Sequence, residues 1–322
     1  STSLGKWLAV LWLASLSLII NVALGAPQQL HLLGHSSFDA PQLHLKEPDW
    51  RWLRERRTLV MGVSAPDYAP FDLTNNNDEL EGITADYAAL IAQMLNVTIQ
   101  VQRYEHRDDV IAALKRGEVD FLGTANGYEA ADRQLKLSRS YANDQPTLVT
   151  RVGDSQALSA ELEGKRLAML YHYMQPEVVA AYYANASLQL YPSTFEAIGA
   201  VAFGQADVYL GDAISTNYLI NKNHLNNVRM ADFSSLEVNP FAFAVDGDNL
   251  RLLRIVNAAL EMIPVSEQME ILRRWSSGNL GVVGRERLRL SASEQRWLDK
   301  HPRVKVTALD KFQPLSFFNE HG

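Results

Sequence analysis

The chain has 322 residues, 47% hydrophobic and 21% charged, too long for one small domain and with an ordinary globular balance. A formal net charge of -7 with no basic run excludes a nucleic-acid surface and makes a small molecule the expected partner. With no cysteine, disulfides, thiolate metal sites and a cysteine nucleophile are excluded as well.

At the N-terminus, Lys6 precedes an almost unbroken apolar run from Trp7 to Leu24, which closes in the small-residue sequence Ala23-Leu24-Gly25 before Ala26. This reads as a secretory signal over residues 1–25. The run is about 18 residues against the roughly 20 that span a bilayer, so an uncleaved anchor helix stands as the other reading. Residues 26–56 read as a linker and a short helix. Pro27 to Pro48 shows no period, and His31, His35 and His44 within it lack the spacing and acidic or thiol complement of a metal site, so a solvated tail is expected. From Trp50 to Arg57 a charged helix carries Trp52 and Leu53 on its apolar side.

Leu59 to Val63 is a β-favouring run halted by Ser64-Ala65-Pro66-Asp67. Tyr87, Leu90, Ile91, Met94 and Leu95 then fall on one face of a helix that the sequence caps with Thr84. Val97–Val101 is a second strand, residues 108–116 a helix stopped by Gly117, and Asp120–Gly123 a third strand. This alternation predicts a mainly parallel, doubly wound sheet.

A second copy of one unit follows. Residues 113–124 and 200–212 each run from an apolar helix end through Gly-x-x-Asp and a buried strand to a Gly-polar pair, Gly123-Thr124 and Gly211-Asp212. Two similar lobes are implied. Because ligands of open α/β sheets sit beyond the carboxyl ends of the strands, the site is expected between Thr124 and Asp212. Thr147–Thr150 and Phe241–Val245 are the expected crossings between lobes, each beside a proline. Residues 247–274 read as two helices broken at Pro264.

The order of these pieces, with Tyr68-Ala69-Pro70-Phe71 and Gly82 to Tyr87 after the first strand, resembles the type II periplasmic solute-binding fold, the Venus flytrap modules of bacterial solute-binding family 3. The resemblance implies an α/β fold of two doubly wound lobes joined by a two-strand hinge, over residues 57–278. Lobe one would hold residues 57–146 and 240–278, and lobe two residues 147–239. It also implies that Tyr68 and Phe71 line the cleft, although Phe71 reads equally as a plug of the core. Thr124, Asn126 and Tyr128 would face it from lobe one, and Tyr171, His172 and Asp212 from lobe two. Asp212 takes the role of the family's ammonium anchor. Arg133 is the candidate for the carboxylate-gripping arginine, but its loop is longer than usual and Tyr171-His172-Tyr173-Met174 replaces the small hydroxyl residues. An aromatic pocket with one carboxylate suits an amine or other cation; an empty, permanently closed cleft is the competing reading.

Leu45 through Arg51-Trp52-Leu53 recurs as Leu290 through Arg296-Trp297-Leu298, followed by Val304-Lys305-Val306 and Pro314-Leu315. Residues 279–300 are therefore expected as a connector and residues 301–322 as the start of a second flytrap. Together with Asn126–Ala130, Leu137–Tyr141 and Asp144–Arg151, the tandem arrangement resembles the BvgS/EvgS class of hybrid sensor histidine kinases. That resemblance implies a periplasmic sensing region of a two-component system, tethered to the inner membrane and homodimeric in the full-length protein. No hydrolase elbow, metalloprotease motif or phosphate loop occurs, so no catalytic, cofactor or metal residues are assigned. A binding protein feeding an amino-acid transporter, and a flytrap fused to a lytic or other enzyme domain, are the alternatives.

Overall fold

The computed structural model describes residues 26–36, 38–154 and 156–276, together with Arg296 and Lys300. The expected signal (residues 1–25), most of the connector and the start of a second flytrap (301–322) lie outside the described residues. The chain divides into two compact units, residues 1–284 and 285–322. In the second, Arg296 and Lys300 are helical and exposed.

The first unit contains two sheets. The lobe-one sheet is built on β2 (Thr58–Ser64), which pairs in parallel with β5 (Thr98–Tyr104) on one side and β6 (Phe121–Ala125) on the other. Helices α2 (Ile83–Leu95) and α3 (Arg107–Lys115) make the crossovers. On the inner face of α2 the predicted residues Tyr87, Leu90, Ile91, Met94 and Leu95 are all buried, each such side chain contributing about 1.5–3 kcal/mol. Beyond β6 the sheet adds β13 (Phe241–Asp246) and β7 (Leu135–Ala142), both antiparallel to their neighbours. The far edge carries β1 (Gln28–Leu32), β4 (Glu79–Glu81) and β3 (Leu73–Thr74). The lobe-two sheet runs β10 (Ser187–Tyr191), β9 (Arg166–Leu170), β11 (Val208–Asp212), β8 (Pro146–Arg151), β12 (Val228–Phe233). It is flanked by α5 (Pro176–Tyr182), α6 (Thr194–Ala202) and α7 (Ala213–Lys222).

The helix-to-strand unit read twice in the sequence is built twice. After α3, Gly117 turns at φ 78°, and Asp120 accepts the Val60 N–H at 2.7 Å. After α6, Gly204 turns at φ 76°, and Asp207 accepts the Arg166 N–H at 2.8 Å. In each lobe the aspartate ties the incoming strand to the start of its parallel neighbour. The glycines within those strands also have a reason. A β-carbon on Gly123 would lie 2.7 Å from Thr84 Cγ2, and one on Gly211 would collide with the Tyr209 hydroxyl.

Three expectations are corrected. The crossings are not Thr147–Thr150 and Phe241–Val245: the first lies in β8, inside the lobe-two sheet, and the second in β13, inside the lobe-one sheet. The chain passes between lobes in the short segments 143–145 and 234–240. Gln28–Leu32, expected within a linker, forms β1, antiparallel to β5 and parallel to β4, because Leu30 and Leu43 find apolar cover that the local pattern does not announce. Thr84 does not cap α2. Gly82, at φ 116°, holds that place, and the buried Thr84 hydroxyl bonds Thr124 and Tyr141 instead.

Helix α1 (Glu47–Arg56) docks through buried Leu53 and through Asp49, 3% exposed, which accepts from Arg254 at 2.9 Å. Of the three early histidines, His35 bonds Glu81 at 2.7 Å and sets its ring edge-on to Trp275. Helices α8 (Leu250–Glu261) and α9 (Val265–Trp275), separated at Pro264, complete lobe one. No helix among the described residues is long and apolar enough to cross a membrane.

Candidate functional site

The ends of β2 and β6 in lobe one face the ends of β9 and β11 in lobe two, and the side chains there close on one another. Asp212 ends β11 and caps α7, accepting the Ser215 N–H at 2.8 Å and the Ser215 hydroxyl at 2.5 Å. Its lobe-crossing partner is Tyr68, whose hydroxyl donates to Asp212 Oδ1 at 2.8 Å. Asp212 is fully buried and Tyr68 only 5% exposed. Burial pushes both above their usual ranges; the Ser215 and Tyr68 hydrogen bonds draw the Asp212 carboxyl part of the way back.

A second acid stands beside this pair. Asp144, in the first crossing, accepts the Tyr173 hydroxyl at 2.7 Å. Burial, followed by the nearby Asp212 charge, raises its carboxyl well above the ordinary carboxylate range. Two carboxyls therefore lie beside the phenols of Tyr68 and Tyr173, Asp212 fully buried and Asp144 half-buried.

The other predicted residues are placed as follows. Phe71 is fully buried, its ring 4.1 Å from Phe241, and it supports Tyr68 from beneath. Thr124 adopts φ 53°, costly for a β-branched residue. Three hydrogen bonds hold it there: its hydroxyl to Asp72 at 3.0 Å and to Thr84 at 2.6 Å, and its N–H to Tyr141 at 3.0 Å. Asn126 forms a capping box with Glu129 at the short helix α4 (Gly127–Ala130), and its buried Nδ2 has no hydrogen-bond partner among the described residues. Tyr128 sends its hydroxyl away from the cleft to Asp108, at 2.6 Å. From lobe two, Tyr171 stacks on His106 at 4.5 Å and its hydroxyl accepts the Arg107 N–H at 2.7 Å. His172 packs its ring against Tyr68, Tyr128 and Tyr171; burial, and then the Arg107 charge, hold it well below the ordinary histidine range. It is neutral at physiological pH and serves as packing surface.

Arg133 is exposed on the loop before β7 and takes no part. The buried arginine of this region is Arg107, at the start of α3 and 1% exposed. It pairs with Glu129 at 2.6 Å and donates to the carbonyls of Gly123 and Thr124. Burial opposes its charge and Glu129 sustains it, so the guanidinium is spent inside lobe one. Asp144, Tyr173 and Arg107 were missed by sequence reasoning. The Asn-x-x-Glu capping pattern marks Glu129, but nothing local marks its partner 22 residues earlier.

Between the lobes run the Tyr68–Asp212 bond, the Arg107–Tyr171 bond and a bond from Gln175 Nε2 to the Tyr128 carbonyl at 3.0 Å. The cleft is thus closed on its own side chains, and the Asp212 carboxyl is occupied by a phenol.

Residues 59–278 match the family model of bacterial extracellular solute-binding proteins, family 3. The chain belongs to that family. Its fold is the two-lobed type II solute-binding fold, and the solved periplasmic domain of BvgS from B. pertussis superposes with a TM-score of 0.69 at 39% identity, over 91% of this chain and 57% of that one. The chain is 42% identical over 293 residues to the virulence sensor protein BvgS of Bordetella bronchiseptica, covering 91% of this chain and 24% of the relative. The sensor protein EvgS of Escherichia coli O157:H7 is 23% identical over 282 residues, 87% of this chain and again 24% of the relative. The chain therefore spans about a quarter of the length of the curated relatives it matches. Both resemblances drawn from the sequence, to this solute-binding family and to BvgS/EvgS-type sensors within it, hold.

Proposed function

We propose that this chain is the periplasmic sensing region of a membrane-tethered hybrid sensor histidine kinase, and that its flytrap rests closed on the Tyr68–Asp212 bond. A small cationic ligand, an amine or the ammonium of an amino acid, enters by taking Asp212 from Tyr68. The observation that carries this reading is the 2.8 Å bond itself: it crosses the cleft, it is buried, and it ends on a carboxyl that makes no ion pair among the described residues. Asp144 and the rings of Tyr68, Tyr173 and His172 extend the same chemistry, since a cation over aromatic faces and beside two acids is stabilised by charge and by ring quadrupoles. Signalling then follows from differential affinity: a ligand biases the lobes only by as much as it prefers one arrangement over the other. Similarity to sensor proteins supports this reading over a role in transport.

Calorimetric titration of the chain with amines, amino acids and small carboxylates tests it. The expected result is binding by ammonium-bearing compounds alone. The affinity should increase with pH, because burial raises both carboxyls above their usual range and only the ionised form receives a cation. Asp212→Asn preserves the cap of α7, for which asparagine serves as well as aspartate, and should abolish binding. Tyr68→Phe removes the competitor, and since a hydrogen bond to a charged group is worth about 1.5–3 kcal/mol, affinity should rise roughly tenfold or more. Unchanged binding in both variants would sink the assignment.

A further inference from the structure

The pairing of β11 with β8 brings Asp212 and Asp144 together. Asp212 stands opposite Pro146, the Ala213 N–H donates to the Gln145 carbonyl at 2.9 Å, and Asp144 is the next residue back along the first crossing. The groups that reach the two carboxyls are hydroxyls, those of Tyr68 and Ser215 on Asp212 and that of Tyr173 on Asp144. Beside them stands a hydroxyl without a partner. Tyr209 is completely buried in β11, and its Oη makes no hydrogen bond among the described residues. Its ring lies along the strand over Gly211, where an added β-carbon would collide with the hydroxyl, so the oxygen stands one residue short of Asp212. After burial, the charge of Asp212 and, more weakly, that of Asp144 push the Tyr209 hydroxyl upward, so both acids act on it. The Ser215 and Thr216 hydroxyls, which draw it the other way, are spent on the carboxyl and the carbonyl of Asp212, at 2.5 and 2.6 Å. A buried hydroxyl left unpaired is costly. Packing accounts for the ring of Tyr209 but not for its oxygen.

Resting on the amine reading proposed above, we infer that Asp144 and Tyr209 set the specificity of the cleft. With Asp212 they offer three oxygens to one nitrogen, and the ligand is a primary amine. Donor count sets the class. A primary ammonium carries three N–H donors and no acceptor. Asp212, released by Tyr68, takes one, Asp144 the second, and the Tyr209 hydroxyl oxygen the third. A quaternary ammonium carries none. Ring faces accept it readily, but around these two acids Tyr68 and Tyr173 present their hydroxyl ends, and oxygens discriminate by the N–H groups they receive. A site built to hydrogen-bond an N–H rejects the analogue that lacks it, because its own buried polar groups are then left unpaired. The unpaired group here is Tyr209. Burial orders the cradle: Asp144, half-buried, is its approach, and Asp212 and Tyr209, both fully buried, are its end.

Calorimetric titration of the chain with butylamine and with glycine, each against its trimethylated counterpart, butyltrimethylammonium and N,N,N-trimethylglycine, tests the inference. A primary compound should bind, and its trimethylated counterpart should bind about tenfold more weakly or less. Tyr209→Phe should weaken the primary compound about fivefold and leave the trimethylated one unchanged, so that the ratio between them falls. The unliganded variant should melt at or above the parent temperature, since it loses a hydroxyl that had no partner. Asp144→Asn keeps an oxygen for Tyr173 and should weaken the primary compound about tenfold. Equal affinity for both members of a pair would overturn the inference and leave the amine reading standing, whereas no binding by any of the four compounds would overturn both. A parent-like ratio in Tyr209→Phe would show its hydroxyl idle in the complex. A midpoint several degrees below the parent would show it already paired in the free chain, and either result overturns the assignment.

Discussion

Asp72 is 3% exposed and receives the Thr124 hydroxyl at 3.0 Å. Burial pushes its carboxyl from 3.8 up to about 7; the Thr124 bond and then the Arg107 charge pull the other way, and Asp67 adds to the rise. A carboxyl whose folded value is raised binds its proton more tightly in the folded than in the unfolded chain. Its contribution to stability is therefore complete below pH 3.8 and is lost as the pH rises through about 7. A shift of this size corresponds to a few kcal/mol, at about 1.4 kcal/mol per pH unit. Asp72→Asn keeps an oxygen for Thr124 and removes the titration. Urea denaturation at pH 5 and pH 8 should find the parent chain less stable at the higher pH and the variant with a shallower loss, Asp144 and Asp212 supplying what remains, so that Asp72→Asn loses less than the parent between the two. A parent with no such slope would show that Asp72 is ionised at little cost. The sequence marked Thr124 by its place after a buried strand, but it did not mark Asp72, because the bond between them spans 52 residues and leaves no local pattern.

The elements most legible in the sequence were those whose period is enforced by burial on one face. Helix α2, the pair α8 and α9 broken at Pro264, and the twice-used Gly-x-x-Asp turn are of this kind, because glycine, proline and an aspartate that ties a strand act through their immediate neighbours. Strand β1 was not legible. Its alternation is short, with Leu30 the one buried residue of the five, and its pairing with β5 depends on a strand some 70 residues away. Its role is nonetheless structural, since it covers the edge of β5 that an open sheet would expose to intermolecular pairing. Removing residues 26–46 deletes β1 and Leu43 while leaving α1 and its Asp49–Arg254 anchor. The truncated chain should melt several degrees lower and form soluble aggregates on light scattering. A truncation with the parent's midpoint and a monodisperse profile would restore the linker reading for this segment.

At the scale of the molecule, few polar contacts among the described residues join the two lobes. A phenol on Asp212, a backbone N–H on Tyr171 and an amide on the Tyr128 carbonyl hold the closed arrangement. Moving a two-state equilibrium from 99:1 to 1:99 takes about 5.5 kcal/mol. One hydrogen bond to a charged group, at about 1.5–3 kcal/mol, shifts the population roughly tenfold to a hundredfold without reversing a strongly closed flytrap. Two such bonds lost together come close to reversing it. Under the proposed function, Tyr68→Phe in the full-length protein should therefore move the kinase output part of the way, and Tyr68→Phe combined with Gln175→Ala further in the same direction. Neither substituted side chain lies on α9. Small-angle scattering of the isolated region should follow the same order, with the radius of gyration largest in the double variant. An output that moves without any change in scattering would mean that the signal runs through the cleft residues themselves and not through the opening of the lobes.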